Sequence, residues 1–180
     1  MIETERLILR PLRIGDAPDL LEYQSNAEVV RYTPWPIRDS EAVTAALETT
    51  ISNHHGRLTA NGDSIFLAWE HKETGKVIGQ SNMTLRSREE GLADIGWALH
   101  QSFQRQGYAH EASVALLRFA FIEYQLERVI AKIDVRNLES VRLAEKLGMH
   151  LAGQVAETQL TKGELCELWT YAVSNTGTNR

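Results

Sequence analysis

A glycine-containing turn separates an alternating apolar run from a long helical pattern. Its sequence is Gln104-Arg105-Gln106-Gly107-Tyr108-Ala109. The first backbone amides of a helix have no partner inside the helix, and with the positive end of the helix dipole they attract anions. Gly107 lets the backbone approach such an anion, and Ala109 adds little bulk. The turn predicts a phosphate site, although an ordinary strand-to-helix loop has the same pattern and its context must decide.

Two polar side chains, Asn137 and Ser140, lie three residues apart after the β-branched run that ends at Val135. At the end of a strand and the start of a helix, this spacing directs both side chains towards one cleft. Helix capping is the alternative, since Asn and Ser are common capping residues.

Composition limits the class of protein. The chain has 180 residues, of which 43% are hydrophobic, enough for one compact domain with a sizeable core. No basic segment followed by an apolar stretch and no run of about 18 apolar residues is present, which indicates a cytoplasmic protein with no membrane partner. The single cysteine, Cys166, excludes an intrachain disulfide. The net charge of −5 is spread along the chain, which argues against nucleic acid as a partner.

Periodicity places these residues on secondary structure. Alternating apolar residues predict seven strands, over Glu5–Leu12, Ser64–Glu70, Val77–Leu85, Leu92–His100, Arg128–Val135, Leu151–Glu157 and Leu165–Val173. Helical spacing predicts helices that begin after Asp16 as N-cap, run from Asp39 or Ser40 to about His55, and cover Ala109–Tyr124 and Leu138–Leu147.

This element order predicts an α/β (α+β) fold with one mixed, mostly antiparallel seven-stranded sheet and helices on both faces. Ligands of such sheets bind beyond the carboxyl ends of the strands, where residues 104–109 are expected. We expect one domain over residues 1–173 and a flexible tail over 174–180.

Several motifs together resemble the GNAT superfamily of N-acetyltransferases, in particular its RimJ/RimL branch of ribosomal-protein N-terminal acetyltransferases. The run from Asp94 to Ala112 resembles the family signature, with Asp94-Ile95-Gly96-Trp97 before the turn and His110-Glu111-Ala112 after it. Three further segments agree in the expected order. They are Thr4–Leu12, Asn137–Met149, and Gly163-Glu164 with Leu168–Val173.

The resemblance implies an acyl-CoA N-acyltransferase fold and acetyl-CoA as co-substrate, with no metal. It implies that the backbone of Trp97 and Leu99 pairs with the pantetheine arm and that residues Gln104 to Ala109 hold the pyrophosphate. Asn137 matches a cofactor-contacting asparagine of the family. The amine is expected to attack the thioester directly, so that Cys166 is a buried structural residue.

The proton-transfer groups are less well defined by the resemblance. Many GNAT enzymes protonate the departing thiolate with a tyrosine, but Ala144 stands at that position, so Ser140 or solvent takes the role. An alkylamine with a pKa of about 10 must lose a proton before it attacks. Asp94 matches an acidic position of the branch, while Glu157 and Glu167 lie on the closing strands. The alternative for Asp94 is an ion pair with a basic residue of a neighbouring strand, and the alternative for Glu157 and Glu167 is a solvated strand position. A water chain is a further alternative for the base.

The acceptor is expected to be a primary amine. The branch implies a protein N-terminus, and a small amine such as an aminoglycoside, polyamine or amino acid is the alternative. Trp35, between Pro34 and Pro36, and Glu157 are the predicted acceptor-binding residues. A non-catalytic acyl-CoA sensor is a third hypothesis, motivated by the missing tyrosine. Both a monomer and a homodimer are compatible with the sequence.

Overall fold

The computed structural model describes residues 1–153 and 157–175 as one sheet with helices on both faces. The strands are Ile2–Glu3 (β1), Leu7–Pro11 (β2), Ser64–His71 (β3), Val77–Ser87 (β4), Leu92–Leu99 (β5), Arg128–Asp134 (β6), His150–Leu151 (β7), Glu157–Thr161 (β8) and Glu164–Ser174 (β9). The α-helices are Ala17–Gln24 (α1), Ala27–Val30 (α2), Ser40–Ser52 (α3), Tyr108–Glu123 (α4) and Leu138–Lys146 (α5). The sheet order is β1-β2-β3-β4-β5-β6-β9-β7, and β8 pairs with the first part of β9.

Strands β3, β4 and β5 form the antiparallel meander predicted from the sequence. The turn between β3 and β4 contains Gly75, whose φ of +70° is left-handed and costs glycine little. The central strand β4 is paired along most of its length on both sides, which fixes the position of β5.

Helix α4 connects β5 to β6, the parallel pair of the sheet. The register of this pair runs from Leu92 opposite Arg128 to Asp94 opposite Ile130. Both strands continue beyond that point, to Leu99 and Asp134, but they no longer pair with each other. The two strands therefore separate towards their carboxyl ends, and the edge of β5 facing β6 is left open.

Two apolar clusters lie on opposite faces of the sheet. Helix α4 buries Leu116 and Ala120 in the larger cluster, which α5 joins through Val141. On the other face, α1 and α3 bury Leu20 and Leu47. This arrangement confirms helices on both faces and gives the cleft between β5 and β6 a wall on each side.

Asp16 occupies the N-cap position of α1, as the sequence predicted, but its side chain makes no capping hydrogen bond to that helix. Its carboxylate instead accepts hydrogen bonds from Arg10 Nη1 and Nη2, at 2.9 and 2.8 Å, and from the backbone N–H of Arg13. Arg10 is buried and also donates through Nε to Glu70 at 2.5 Å. A buried guanidinium requires such partners, and this requirement outweighs the capping preference of Asp16.

The C-terminal strands differ from the prediction of one strand over Leu151–Glu157. His150–Leu151 is a two-residue strand on β9, and the chain leaves the sheet at Gly153, whose φ is +107°. A separate hairpin then joins β8 to β9 through a turn with left-handed φ at Lys162 and Gly163. Within residues 1–153 and 157–175 the predicted seven strands thus become nine, because β1 is an addition and the sixth is replaced by two short strands. Residues 154–156 lie outside the described part of the chain.

The last described segment of the chain belongs to strand β9 of the sheet. Strand β9 reaches Ser174, one residue beyond the predicted domain boundary, and Asn175 follows it. The remainder of the predicted tail, 176–180, lies outside the described residues. Within residues 1–153 and 157–175, no helix has the length and apolar character needed to cross a bilayer.

Candidate active site

The open edge of β5 supplies backbone groups to the cleft. His100 N–H donates to Ile78 O on β4 at 2.8 Å, so backbone groups at alternate positions of β5 point towards β4. The N–H and C=O of Trp97 and Leu99 therefore point the other way, towards β6. The Leu99 carbonyl accepts a hydrogen bond from Gln104 Nε2 at 3.3 Å, in agreement with this direction. An extended ligand arm can pair with this edge as an added strand does.

The turn after β5 exposes backbone amides at the start of α4. Gly107 is the N-cap residue with φ +88°, and no side chain caps the helix. Arg105 also has a left-handed φ, at +61°, and Gln106 fixes the turn by donating from Nε2 to Ser102 O. None of the described groups accepts a hydrogen bond from the amides of residues 105–110. An uncapped helix start with successive free amides and an exposed glycine fits a diphosphate.

The side chain of Tyr108 anchors the turn from below. Its ring is buried, and its hydroxyl is 3.0 Å from His71 Nε2 on β3. Tyr108 therefore contributes its backbone amide to the turn, while its side chain belongs to the core. Ala109, half-buried in the first turn of α4, adds no side chain that would cover the amides.

Ser140 and Asn137 lie on the opposite side of the cleft from β5. Trp97 Nε1 donates to Ser140 Oγ at 3.3 Å, which joins β5 to α5. Asn137 is the N-cap of α5, and its Oδ1 accepts from the Ser140 N–H at 3.2 Å. The capping alternative is therefore realised for Asn137, while its Nδ2 has no partner among the described residues. Ala144 is fully buried in the core, so the position of the family tyrosine does not face the cleft.

A cavity of about 610 Å³ occupies the cleft. Its lining includes several residues that were predicted from the sequence, among them Trp35, Asp94, Trp97, Gln104, Asn137 and Ser140. The cavity thus contains some of the residues predicted for the cofactor, for catalysis and for the acceptor, whereas residues 105–109 of the turn do not line it and Gly107 borders a separate pocket beside Arg6. The loop after α2 provides the wall that carries Trp35, and β5 provides Asp94.

Two buried side-chain atoms of the residues that line the cavity have no hydrogen-bond partner. They are Trp35 Nε1 and Asp94 Oδ1, and they are the two such atoms found in residues 1–153 and 157–175. The other oxygen of Asp94 accepts from Arg86 Nε at 2.6 Å and forms an ion pair with Arg86 Nη2. The predicted alternative for Asp94, pairing with a basic residue of the neighbouring strand, is therefore confirmed for one oxygen only.

Two other carboxylates near the cavity, Asp134 and Glu157, are already paired. Arg136 donates to both oxygens of Asp134, and these hydrogen bonds lower the pKa of Asp134 below its ordinary value despite partial burial. Glu157 is 60% exposed and accepts from Lys132 Nζ at 2.6 Å. Lys132 lines the cavity, but Glu157 is not among the residues that line it. Glu167, the other carboxylate of the closing strands, is exposed.

Cys166 is buried on β9. Its Sγ accepts a weak hydrogen bond from Arg136 Nη2 at 3.4 Å. Cys166 does not line the cavity, as expected of a structural residue. Across residues 1–153 and 157–175, no group of three or more His, Cys, Asp or Glu side chains is arranged to hold a metal ion.

Sequence reasoning missed three residues that hold the site together. Arg6 contacts the phosphate turn, Arg86 pairs with Asp94, and Lys162 donates to the carbonyls of Val30 and Arg31 at 2.7 and 2.9 Å. The meander offered a signal for Arg86, because Thr84 pairs with Asp94 and the next residue on that face of β4 is diagonal to it. No local pattern indicated Arg6 or Lys162, whose partners are a hundred or more residues away.

Comparison with known proteins identifies this arrangement. A family model described as "Acetyltransferase (GNAT) domain" matches residues 6–150. An uncharacterized N-acetyltransferase, p20 from Bacillus licheniformis, is 30% identical over 171 residues, covering 94% of this chain and 93% of the relative. The chain belongs to the GNAT acetyltransferase family. The resemblance drawn from the motifs is thereby confirmed at the level of the superfamily.

Solved structures share the whole fold. A GNAT-family acetyltransferase from Bacillus anthracis superposes with a TM-score of 0.82 at 25% identity, covering 96% of this chain and 97% of the other. A putative ribosomal-protein-serine acetyltransferase from Vibrio cholerae gives a TM-score of 0.84 at 21% identity, with 97% of both chains covered. The protein is thus an N-acetyltransferase, and its acetyl donor is acetyl-CoA.

Proposed function

We propose that this enzyme acetylates the α-amino group of a peptide or protein N-terminus by direct attack on acetyl-CoA in a ternary complex. One observation supports this acceptor: Trp35 and Asp94 line the same cavity, and each carries a buried side-chain atom without a hydrogen-bond partner, the donor Trp35 Nε1 and the acceptor Asp94 Oδ1. Acetyl-CoA enters between β5 and β6, with its pantetheine arm along Trp97 and Leu99 and its pyrophosphate on residues 104–109. Asn137 Nδ2 lies at the edge of this channel as a further cofactor donor.

The unpaired groups differ in what they require. A buried polar atom without a partner costs about 1–3 kcal/mol, so these two atoms favour a ligand that supplies both partners. A peptide N-terminus supplies an ammonium group for Asp94 Oδ1 and a carbonyl oxygen for Trp35 Nε1. A protonated polyamine has N–H donors alone and leaves Trp35 unpaired.

The charges of the cavity favour the same acceptor. Of the four carboxylates among the described residues that line the cavity, Asp94, Asp134 and Glu139 are each paired with an arginine, and Glu28 is exposed. Arg31, Arg86 and Lys132 also line the cavity, so it holds few unpaired negative charges for a substrate with several cations. A substrate with one ammonium group and neighbouring neutral hydrogen-bonding groups suits this balance better than one with several cations.

Deprotonation is also easier for this acceptor. An α-amino group has a pKa of about 7.7–8.0, so roughly a tenth of it is neutral at pH 7, while an alkylamine of pKa about 10.4 is almost entirely protonated. Asp94, the carboxylate with a free oxygen, orients the ammonium and receives its proton. The neutral amine attacks the thioester carbonyl and the C–S bond breaks. The Ser140 hydroxyl passes its proton to the leaving sulfur and regains a proton from the acylated nitrogen, which gives the amide and the CoA thiol.

The proposal is tested by acetyl-CoA turnover with peptides beginning in Ala or Ser, with the same peptides N-terminally blocked, and with spermidine. We expect turnover of the free peptides alone. Trp35→Phe keeps the ring and removes the N–H, so the KM for peptides should rise several-fold without loss of stability, since that N–H has no partner in the free enzyme. The KM for acetyl-CoA, measured in the same variant, provides the control, because the proposed cofactor contacts do not include Trp35 and this KM should not change.

Asp94→Asn should lower kcat for peptides, since an amide cannot take up the ammonium proton. Turnover of spermidine but not of peptides would overturn the proposed acceptor and favour the small-amine alternative. Absence of turnover with every amine tested would oppose the proposal as well.

A further inference from the structure

Arg6 contacts the phosphate turn from the side of β2. Its Nη1 donates to the backbone carbonyl of Gln106 at 3.0 Å, and its Nε donates to Glu111 Oε2 at 2.7 Å. The guanidinium carbon lies 4.1 Å from the centroid of the Tyr108 ring. The Arg6 side chain therefore makes three contacts, one with Gln106 and two with the first turn of α4.

The contact with Gln106 fixes the direction of the next amide. The peptide bond between Gln106 and Gly107 is trans, so its C=O and N–H point in opposite directions. Because Arg6 binds the carbonyl oxygen, the Gly107 N–H points away from Arg6. A Cβ added to Gly107 would lie 3.4 Å from Arg6 Nη2. The guanidinium therefore lies on the side of Gly107 where a side chain would project.

Arg6 is itself held in place. Glu111 Oε1 accepts from Thr4 Oγ1 at 2.6 Å and from the Arg6 backbone N–H at 2.8 Å, which leaves Oε2 for the guanidinium. Burial alone would raise the pKa of Glu111, but these hydrogen bonds outweigh it and the pKa is lowered. Glu111 is therefore a carboxylate at neutral pH, and the Arg6 fork has a fixed partner.

The geometry points to Arg6 as a positioning residue for the diphosphate of acetyl-CoA: by binding the Gln106 carbonyl, it aims the Gly107 amide at the phosphate site. This inference rests on the proposed placement of the pyrophosphate at residues 104–109. Arg6 acts through the turn and does not need to touch the cofactor.

The test compares two acetyl donors in the intact enzyme. Arg6→Gln should raise the KM for acetyl-CoA by about tenfold and leave kcat nearly unchanged, since a misdirected amide loses one hydrogen bond to a charged group. S-acetylpantetheine has the same thioester and arm but no phosphate. Its kcat/KM should be the same in Arg6→Gln and in the wild-type enzyme.

Two further variants complete the experiment. Lys72→Gln removes a cation from the same end of the sheet, where Lys72 contacts Thr4 and Glu3 but not the turn, and should leave both donors unaffected. Arg6→Lys should give an intermediate KM for acetyl-CoA, because one ammonium cannot reproduce the planar fork that reaches Glu111 and Gln106 together.

An equal loss of activity with both donors in Arg6→Gln would show that Arg6 supports the fold generally, and the inference would be wrong. Unchanged kinetics with both donors would also overturn it. Gly107→Val separates this failure from failure of the proposed site. If Gly107→Val raises the KM for acetyl-CoA and Arg6→Gln does not, only the inference about Arg6 is wrong. If Gly107→Val leaves the KM for acetyl-CoA unchanged, the proposed placement of the pyrophosphate is wrong.

Discussion

Trp97 and Ser140 meet across the cleft, where the indole Nε1 donates to the serine hydroxyl at 3.3 Å. A hydroxyl group has one hydrogen and two lone pairs. Since Trp97 occupies a lone pair, the hydrogen of Ser140 remains available for another acceptor. The residue predicted to contact the pantetheine arm thus also orients the residue predicted to act as the acid.

We expect Ser140→Ala to lower kcat by about tenfold while the Kd for CoA stays nearly constant. The effect is modest because a thiolate, whose conjugate thiol has a pKa near 8.5, is a fair leaving group without acid assistance. Steady-state kinetics and calorimetric titration with CoA provide the measurement. Trp97→Phe removes the N–H that donates to Ser140 but leaves the Ser140 hydroxyl in place, so it should lower kcat by less than Ser140→Ala does. If Ser140→Ala weakens CoA binding as much as it lowers kcat, Ser140 is not the acid.

Asn137 combines a cap with a predicted cofactor contact, and two substitutions separate them. Asn137→Ala should lose about 1 kcal/mol of stability, because the Ser140 N–H loses its acceptor. Asn137→Ser keeps a capping oxygen and removes the Nδ2 donor. We expect unfolding in urea to be near wild type for Asn137→Ser while its KM for acetyl-CoA rises. A wild-type KM in Asn137→Ser would limit Asn137 to capping.

Lys162 ties the β8–β9 hairpin to the end of α2, near the loop that carries Trp35. Its ammonium donates to two main-chain carbonyls, those of Val30 and Arg31. Lys162→Met keeps most of the aliphatic stem and removes both hydrogen bonds, so we expect a several-fold higher KM for the acceptor with an unchanged KM for acetyl-CoA. Bisubstrate kinetics provide the measurement. A parallel rise in both KM values would contradict a role limited to the acceptor wall.

Asp63 makes stability depend on pH at the acid end. Its carboxylate accepts hydrogen bonds from the Ala60 N–H and from the N–H and hydroxyl of Thr59, and they lower its pKa from 3.8 to about 2. A pKa lowered in the folded state stabilises the fold above the unfolded value, near 4, and this contribution is lost as the pH falls towards about 2.

Asp63→Asn has no carboxylate to protonate. The free energy of unfolding of this variant, measured in urea at several pH values, should therefore fall less steeply between about pH 4 and pH 2 than that of the wild type. Parallel pH profiles for the two proteins would mean that Asp63 does not titrate with the fold.

Much of the fold could be predicted because its elements are encoded in short contiguous segments. The meander followed from the alternation in Ser64–Glu70, Val77–Leu85 and Leu92–His100, and α4 was predicted to within one residue at each end. The C-terminal strand prediction failed at Leu151–Glu157, where the chain leaves the sheet at Gly153 and pairs again further on. Alternation indicates that a segment is extended, but it does not indicate which neighbour the segment pairs with.

The sequence by itself determined the acetyl donor, because the motifs that resemble the GNAT family, among them Gln104 to Ala109, lie in short contiguous segments that are recognisable without the fold. The acceptor wall was decided only by the tertiary structure. Trp35, Arg86 and Lys162 lie on three separate segments, and strand register and loop packing bring them to one cavity or its rim. Side-chain contacts between distant segments depend on that register, so the free atoms of Trp35 and Asp94 become visible only once the chain is folded.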